Sequence, residues 1–163
     1  MKDNFIKLYD KYFDDIYRYI YFKTGNKWEA DDLVSETFRK AYEKYSSLKG
    51  EPKAWIMTIA RNTVIDYYRR KKDFTPVNDE FDDYTYGYPV EEIFEKKEEL
   101  NYLKQSLKSL NKDELEIVNL KYFSGLKYSE IAQLLGKTEN AVKTKAMRIH
   151  RKLEQFIEKC MEE

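Results

Sequence analysis

The chain has 163 residues, 42% of them apolar, with 30 Lys and Arg against 30 Asp and Glu, so it is neutral as a whole and long enough for one domain or two small ones. One cysteine and one histidine exclude an intramolecular disulfide and a Cys/His metal cluster, and without a phosphate-cradling glycine loop little is left for nucleotide or nucleophilic chemistry. No run approaches a membrane span and no N-terminal segment resembles a signal peptide, so a cytoplasmic protein is expected, neither an enzyme nor the holder of a cofactor or metal.

Helical periodicity runs along nearly the whole chain, few Gly and Pro interrupt it, and no convincing alternating strand appears, which predicts an all-α fold. The first helix is expected from about Asn4 to Lys23, with Phe5, Leu8, Tyr9, Tyr12, Phe13, Ile16 and Ile20 on its apolar stripe. Asn26 and Glu29 have capping-box spacing, the cap being worth about 1 kcal/mol. They open a second helix in which Ala30, Leu33, Val34, Phe38, Ala41, Tyr42 and Tyr45 recur at three and four residues.

The outer face of that helix carries Asp31, Asp32, Ser35 and Glu36, an acidic patch that the helix macrodipole alone could account for. SSLKGEP then breaks the pattern, and Pro52 suits the first turn of a third helix whose inner face reads Trp55, Ile56, Ile59, Ala60 and Thr63. It ends in Arg69, Arg70, Lys71 and Lys72, just after Tyr67 and Tyr68. Cations beside aromatics fit single-stranded nucleic acid; cations also simply favour helix C-termini.

From Asp73 to Glu92 the composition is that of an acidic linker. Helicity resumes near Val90, with Ile93, Phe94, Leu100, Leu103, Leu107 and Leu110 facing inward. Asn111 and Glu114 form a second capping box, opening a helix that Gly125 closes. The expected domains are therefore 1–72 and 93–163, joined by a linker at 73–92. Charge divides along the same lines: +5 over residues 1–72, −8 over 73–99 and +3 over 100–163. Two modules inclined toward a polyanion flank a segment inclined away from one.

The last forty residues read as a helix-turn-helix. Ile131, Leu134 and Leu135 supply the first helix's core positions, Gly136 stands where the turn needs a positive φ, and Thr138 is placed to cap the second helix. At about 100° per residue, Val142, Ala146, Ile149 and Leu153 make one buried stripe. Asn140, Lys143, Thr144, Met147, Arg148 and Arg151 lie opposite it. Between Lys137 and Lys152 six cations face Glu139 alone, an imbalance that favours a DNA reader over an ordinary solvated face. His150 reads as a flanking residue and Cys160 as an incidental thiol.

Taken together the segments resemble a bacterial sigma factor of the extracytoplasmic-function group. EADDLVSETFRKAY is similar to the family's polymerase-gripping segment, PKAWIMTIARNTVIDYYRRKK to its promoter-melting segment, and LNKDELEIVNLKYFSGLKYSEIAQLLGKTENAVKTKAMRIHRKL to its upstream-element region. The resemblance implies two small helical domains, a sigma region 2-like domain and a sigma region 4-like helix-turn-helix, and partners in core RNA polymerase, duplex promoter DNA and a melted promoter strand. It nominates Asp31, Asp32, Leu33 and Glu36 for polymerase; Asn140, Lys143, Thr144, Lys145, Met147, Arg148 and Arg151 for the duplex; and Ser47, Leu48, Lys49, Gly50, Arg61, Asn62, Arg69 and Arg70 for the single strand, with Trp55 assigned to core packing.

The resemblance further implies an anti-sigma factor, often membrane-anchored in the family, and a linker in which Asp73, Asp79, Glu80, Asp82 and Asp83 mimic RNA. Ser35 departs from the usual glutamine, Lys127 from a capping Ser or Thr, and Ala141 and Lys145 from the commoner Thr and Arg. A free-standing helix-turn-helix regulator is the alternative, though it gives no reason for the ADDLVSETF and IARNTVIDYYRR segments.

Overall fold

The computed structural model describes residues 2–74 and 97–162, and every regular element among them is helical. They fall into two compact units. The first holds α1 (Lys2–Thr24), α2 (Lys27–Glu43), a 3-10 turn (Tyr45–Ser47) and α3 (Pro52–Phe74); the second holds α4 (Lys97–Lys108), α5 (Lys112–Val118), a π turn (Asn119–Phe123), α6 (Tyr128–Leu135) and α7 (Glu139–Glu162). The linker residues Asp79, Glu80, Asp82 and Asp83, the core positions Ile93 and Phe94, and the side chains of Asp73 and Leu100 lie outside the described residues.

In the first unit α1, α2 and α3 pack pairwise against one another. The core is Leu8, Tyr12, Ile16, Tyr19, Ile20 and Phe22 of α1, Ala30, Leu33, Val34, Phe38 and Ala41 of α2, and Ile56, Met57, Ile59, Ala60 and Val64 of α3. Burying each large aliphatic side chain is worth about 1.5–3 kcal/mol, which makes this stripe, and not surface pairing, the dominant stabilising contribution. Phe5, Tyr9 and Phe13, expected inside, instead sit at the margin, with Tyr9 39% exposed. Their rings meet Tyr42, Tyr45 and Phe38 at centroid distances from 4.5 Å for Tyr9–Phe38 to 6.0 Å for Phe13–Phe38, forming an aromatic border. Trp55 is half-buried, while Ala54, Met57 and Val64 take the inner positions of α3.

The start of α2 corrects the sequence reading. The Asn26 side chain accepts from the N–H groups of Trp28 (2.9 Å) and Glu29 (3.3 Å), as a cap should. The reciprocal half of the box is missing, because Glu29 Oε1 accepts from Tyr67 Oη (2.9 Å) and Lys71 Nζ (2.8 Å) on α3. A cross-helix tie has displaced a local one.

In the second unit α4, α5 and α6 all pack on α7. Leu107, Leu110, Leu115, Ile117, Val118, Leu120, Leu126, Ile131, Val142, Ala146 and Ile149 are buried, whereas Leu134, Leu135 and Leu153 are half-buried. The α-helical pattern expected to reach Phe123 stops at Val118 and widens into the π turn, where the N–H of Ser124 donates to Asn119 O (2.9 Å) and that of Leu126 to Leu120 O (2.9 Å). The wider turn lets Leu120 and Leu126 both point inward, at 0% and 1% exposure.

The turn between α6 and α7 follows its residues. Gly136 adopts φ 66°, ψ 35°, a left-handed conformation that costs any residue with a Cβ, and the N–H of Lys137 returns to Ala132 O at 2.8 Å. Thr138 Oγ1 accepts from the N–H of Ala141 at 3.1 Å and caps α7. At the other end of α6, Lys127 offers no side-chain acceptor, and the Glu130 carboxylate takes the Lys127 N–H (3.0 Å) in partial compensation.

Candidate nucleic-acid and partner interfaces

Helix α7 presents two chemically distinct faces. Val142, Ala146 and Ile149 are buried, while Asn140, Lys143, Thr144, Met147, Arg148 and Arg151 are exposed, Met147 by 58%. Lys143 is held 3.0 Å from Glu139 one turn back, so its ammonium is steered along the helix. Lys145 is half-buried and lies 3.9 Å from Asp113. Beside α7 lies an open groove of about 860 Å³, lined among others by Asn111, Lys137, Asn140, Lys145, Arg148 and Arg151. Its cations outnumber its one carboxylate, Glu114, and suit a phosphate backbone. Lys137, absent from the nominated residues, belongs to this groove; its place in the cation excess was the signal for it.

The middle of α7 is fastened by Glu114. Its Oε1 accepts from the Asn111 N–H (3.1 Å), completing the expected capping box, and from Lys152 Nζ (3.0 Å). Burial pushes the Glu114 pKa up, but the Asn111 N–H and the Lys152 and Lys145 charges outweigh it and hold the carboxyl below its ordinary value. Tyr122 hydrogen-bonds His150 with the two rings edge to face, so the sole histidine steadies the π turn against α7.

In the first unit, the acidic face of α2 is not uniform. Asp31 and Asp32 are exposed and their carboxylates make no hydrogen bond or salt bridge among the described residues. Glu36 is gripped by Arg39 through two bonds, at 2.7 and 3.0 Å, and Arg39 also reaches Glu43 at 2.6 Å. Hydrogen bonding to Arg39, above all, holds the Glu36 pKa below its ordinary value. Leu33 is 4% exposed and belongs to the core stripe, which removes it from the groups a partner could touch.

The segment nominated for a single strand is likewise divided. Ser47, Lys49 and Gly50 are exposed and Leu48 half-buried, with Gly50 at φ 77° and open space where a Cβ would stand. Asn62 is exposed and Arg61 half-buried. Arg69 and Arg70 are exposed, Arg69 4.0 Å from the Asp66 carboxylate and Arg70 donating to the Asp66 carbonyl (3.4 Å). Because α3 continues to Phe74, Arg69 and Arg70 precede its last turn, where the macrodipole would favour cations. Tyr67 and Tyr68 are turned inward, their hydroxyls on Glu29 and, at 3.5 Å, on the Lys23 carbonyl, and burial pushes both pKa values up. Through their hydroxyls they brace the helix end.

Among the described residues no group of three or more His, Cys, Asp or Glu is placed to hold a metal ion, and no helix is long and apolar enough to cross a membrane.

Residues 8–74 match the family described as Sigma-70 region 2, and residues 100–153 the family described as Sigma-70, region 4. The chain is 34% identical over 166 residues to the ECF RNA polymerase sigma factor BldN of Streptomyces coelicolor, covering 95% of this chain and 61% of that protein. It is 32% identical over 168 residues to the RNA polymerase sigma factor YlaC of Bacillus subtilis, covering 99% and 96%. Among solved structures it resembles, with a TM-score of 0.66 and 21% identity over 96% of each chain, the sigma factor RpoE in complex with the anti-sigma factor NepR from Bartonella quintana. That last likeness is one of fold.

Proposed function

This chain belongs to the extracytoplasmic-function sigma factors, which direct transcription, and on that premise we propose that it binds core RNA polymerase and reads its promoters in two different states. The upstream element is read as duplex by α7, lying in a major groove with Lys143, Thr144, Met147 and Arg148 toward base edges. Lys145 and Arg151 meet the backbone, and Asn140 faces the same duplex. The downstream element is read as a melted strand by the loop Ser47, Leu48, Lys49 and Gly50, with Asn62 beneath a flipped base and Arg61, Arg69 and Arg70 along the strand. Polymerase meets Asp31 and Asp32 on α2, and Glu36 more weakly because Arg39 already pairs with it.

The observation that carries this reading is the division of α7 into a buried apolar stripe and an exposed face of cations and short polar groups. In domain terms, residues 1–72 serve polymerase and the downstream element, 93–163 the upstream element, and 73–92, of which the first two complete α3, connect them as an acidic linker. An anti-sigma factor is a further partner, supported by the complex that the RpoE likeness forms with NepR, and the site of action is the cytoplasm. A free-standing regulator would leave residues 8–74, matched to region 2, without a role.

Promoter-dependent run-off transcription tests the proposal. Core polymerase plus this chain should initiate at a cognate promoter where core alone does not, and an R148A chain should lose that activity while still co-migrating with core. Duplex binding by the chain alone, with no association with core, would overturn it.

A further inference from the structure

Trp28, Asp31, Asp32 and Ser35 stand at spacings of three, four and seven residues on α2, so they share one stripe of its surface, and all four are exposed. Trp28 is 79% exposed, the highest value among the large apolar side chains of the described residues. Nothing among the described residues calls for it. The core side of this turn is filled by Ala30, Leu33 and Val34, and the Asn26 cap binds the backbone N–H of residue 28, whatever its side chain. An indole left in water is a large apolar surface that none of the described residues covers, and tryptophan is enriched among the residues that dominate protein interfaces.

The charges around it indicate what covers it. Glu29 is neutralised by Lys71, and Glu36 by Arg39, but Asp31 and Asp32 between them have no ion-pair partner among the described residues. The stripe therefore offers an indole face followed one turn later by two uncompensated carboxylates. A cationic helical surface complements both. One arginine can lay its guanidinium on the indole while pairing with a carboxylate, and the apolar stem of a lysine can do the former less well. Ser35, at the far end of the stripe, has little reach, so the apolar part of the contact falls on Trp28.

We propose that Trp28 is the aromatic anchor of the polymerase-docking face, stacked under a cationic side chain of a basic surface of core RNA polymerase that also pairs with Asp31 and Asp32. The inference rests on the proposed binding of core polymerase, and deepens it by naming the residue that supplies salt-resistant affinity.

The test is equilibrium binding of the full chain to immobilised core RNA polymerase at low and high salt, with W28A, W28F and D32K variants and helix content followed by circular dichroism. Because Trp28 is exposed, W28A should keep the helix content of the parent. It should weaken binding at least about tenfold at both salt concentrations, while W28F, which keeps a ring, stays within about threefold. The D32K loss should shrink as salt rises, since exposed charges are screened. If W28A binds like the parent while D32K does not, the anchor is wrong and the docking reading survives. If the parent chain does not bind core at all, both fall. If the free parent self-associates, W28A does not, and their affinities for core match, the indole covers a second copy instead and the proposal is overturned.

Discussion

One carboxylate oxygen, Glu114 Oε1, holds both the start of α5 and the middle of α7: it lies 3.1 Å from the Asn111 N–H and 3.0 Å from Lys152 Nζ. The side chain of Glu114 is 7% exposed, whereas that of Lys152 is 53% exposed. Solvent therefore screens the ammonium but not the capping bond. E114Q keeps an acceptor near the backbone and loses the charge, so it should cost only about 1 kcal/mol at neutral pH. The pH dependence follows from the lowered carboxyl pKa. A group more acidic when folded contributes its stability above its unfolded pKa and loses it as pH falls through its folded pKa. Urea midpoints taken from neutral pH down through the carboxylate range should fall less steeply for E114Q than for the parent. Parallel acid limbs would show that the pair contributes nothing.

The αL turn at Gly136 isolates backbone strain from packing. A Cβ there meets nothing within 4 Å, so G136A adds no clash and pays only for its positive φ, about 1–2 kcal/mol. G136N should cost less, since Asn tolerates the left-handed region. Denaturant titration of the two variants decides it; equal losses would mean that strain is not the cause.

What was legible in the sequence is mostly what depends on neighbours three or four residues apart. The Asn111–Glu114 box, the Thr138 cap, the positive φ at Gly136 and the Val142, Ala146, Ile149 stripe are all local geometry, and all are present. The Glu36–Arg39–Glu43 ladder has the same spacing and was readable in principle. Glu29 shows the limit: its box partner Asn26 is three residues away, but Lys71, 42 residues away, outcompetes it, and only the packing of α3 on α2 reveals that. The π turn was hidden for a different reason. One extra residue per turn leaves composition untouched and shifts the apolar register by a single position, which Leu120 and Leu126 absorb. Trp28 drew no expectation because an isolated aromatic outside the apolar core stripe carries no periodic signal.

Arg148 and Arg151 are both exposed on α7, yet the proposed roles differ in a measurable way. If Arg148 reads a base edge, R148A should cost about 1–3 kcal/mol on the cognate upstream duplex and relax preference at one position. If Arg151 touches phosphate, R151A should weaken cognate and altered duplexes alike and lower the slope of log affinity against log salt by about one. Anisotropy titrations on single-substitution duplexes at several salt concentrations separate the two. A uniform loss for R148A would move it to the backbone.

On α2 the free and the paired carboxylates should differ in their effect on polymerase binding. Asp32 has no ion pair among the described residues, so its charge is felt at a distance; Glu36 and Arg39 sit 2.7 Å apart, and at the range of a Debye length, about 8–10 Å, their fields largely cancel. Neutralising each removes one negative charge, so net charge cannot distinguish D32N from E36Q. Local pairing can. E36Q releases Arg39, which remains bonded to Glu43 at 2.6 Å and keeps its place on the helix. D32N should therefore slow association with core polymerase by about three- to tenfold at low salt, as loss of an unpaired rim charge does, with E36Q changing it by less than about twofold. Both effects should converge toward none at high salt. An E36Q defect as large as that of D32N would mean that Glu36 exchanges Arg39 for a cation of the polymerase on docking, and that the pairing in the free chain is a latch on this surface instead of a subtraction from it.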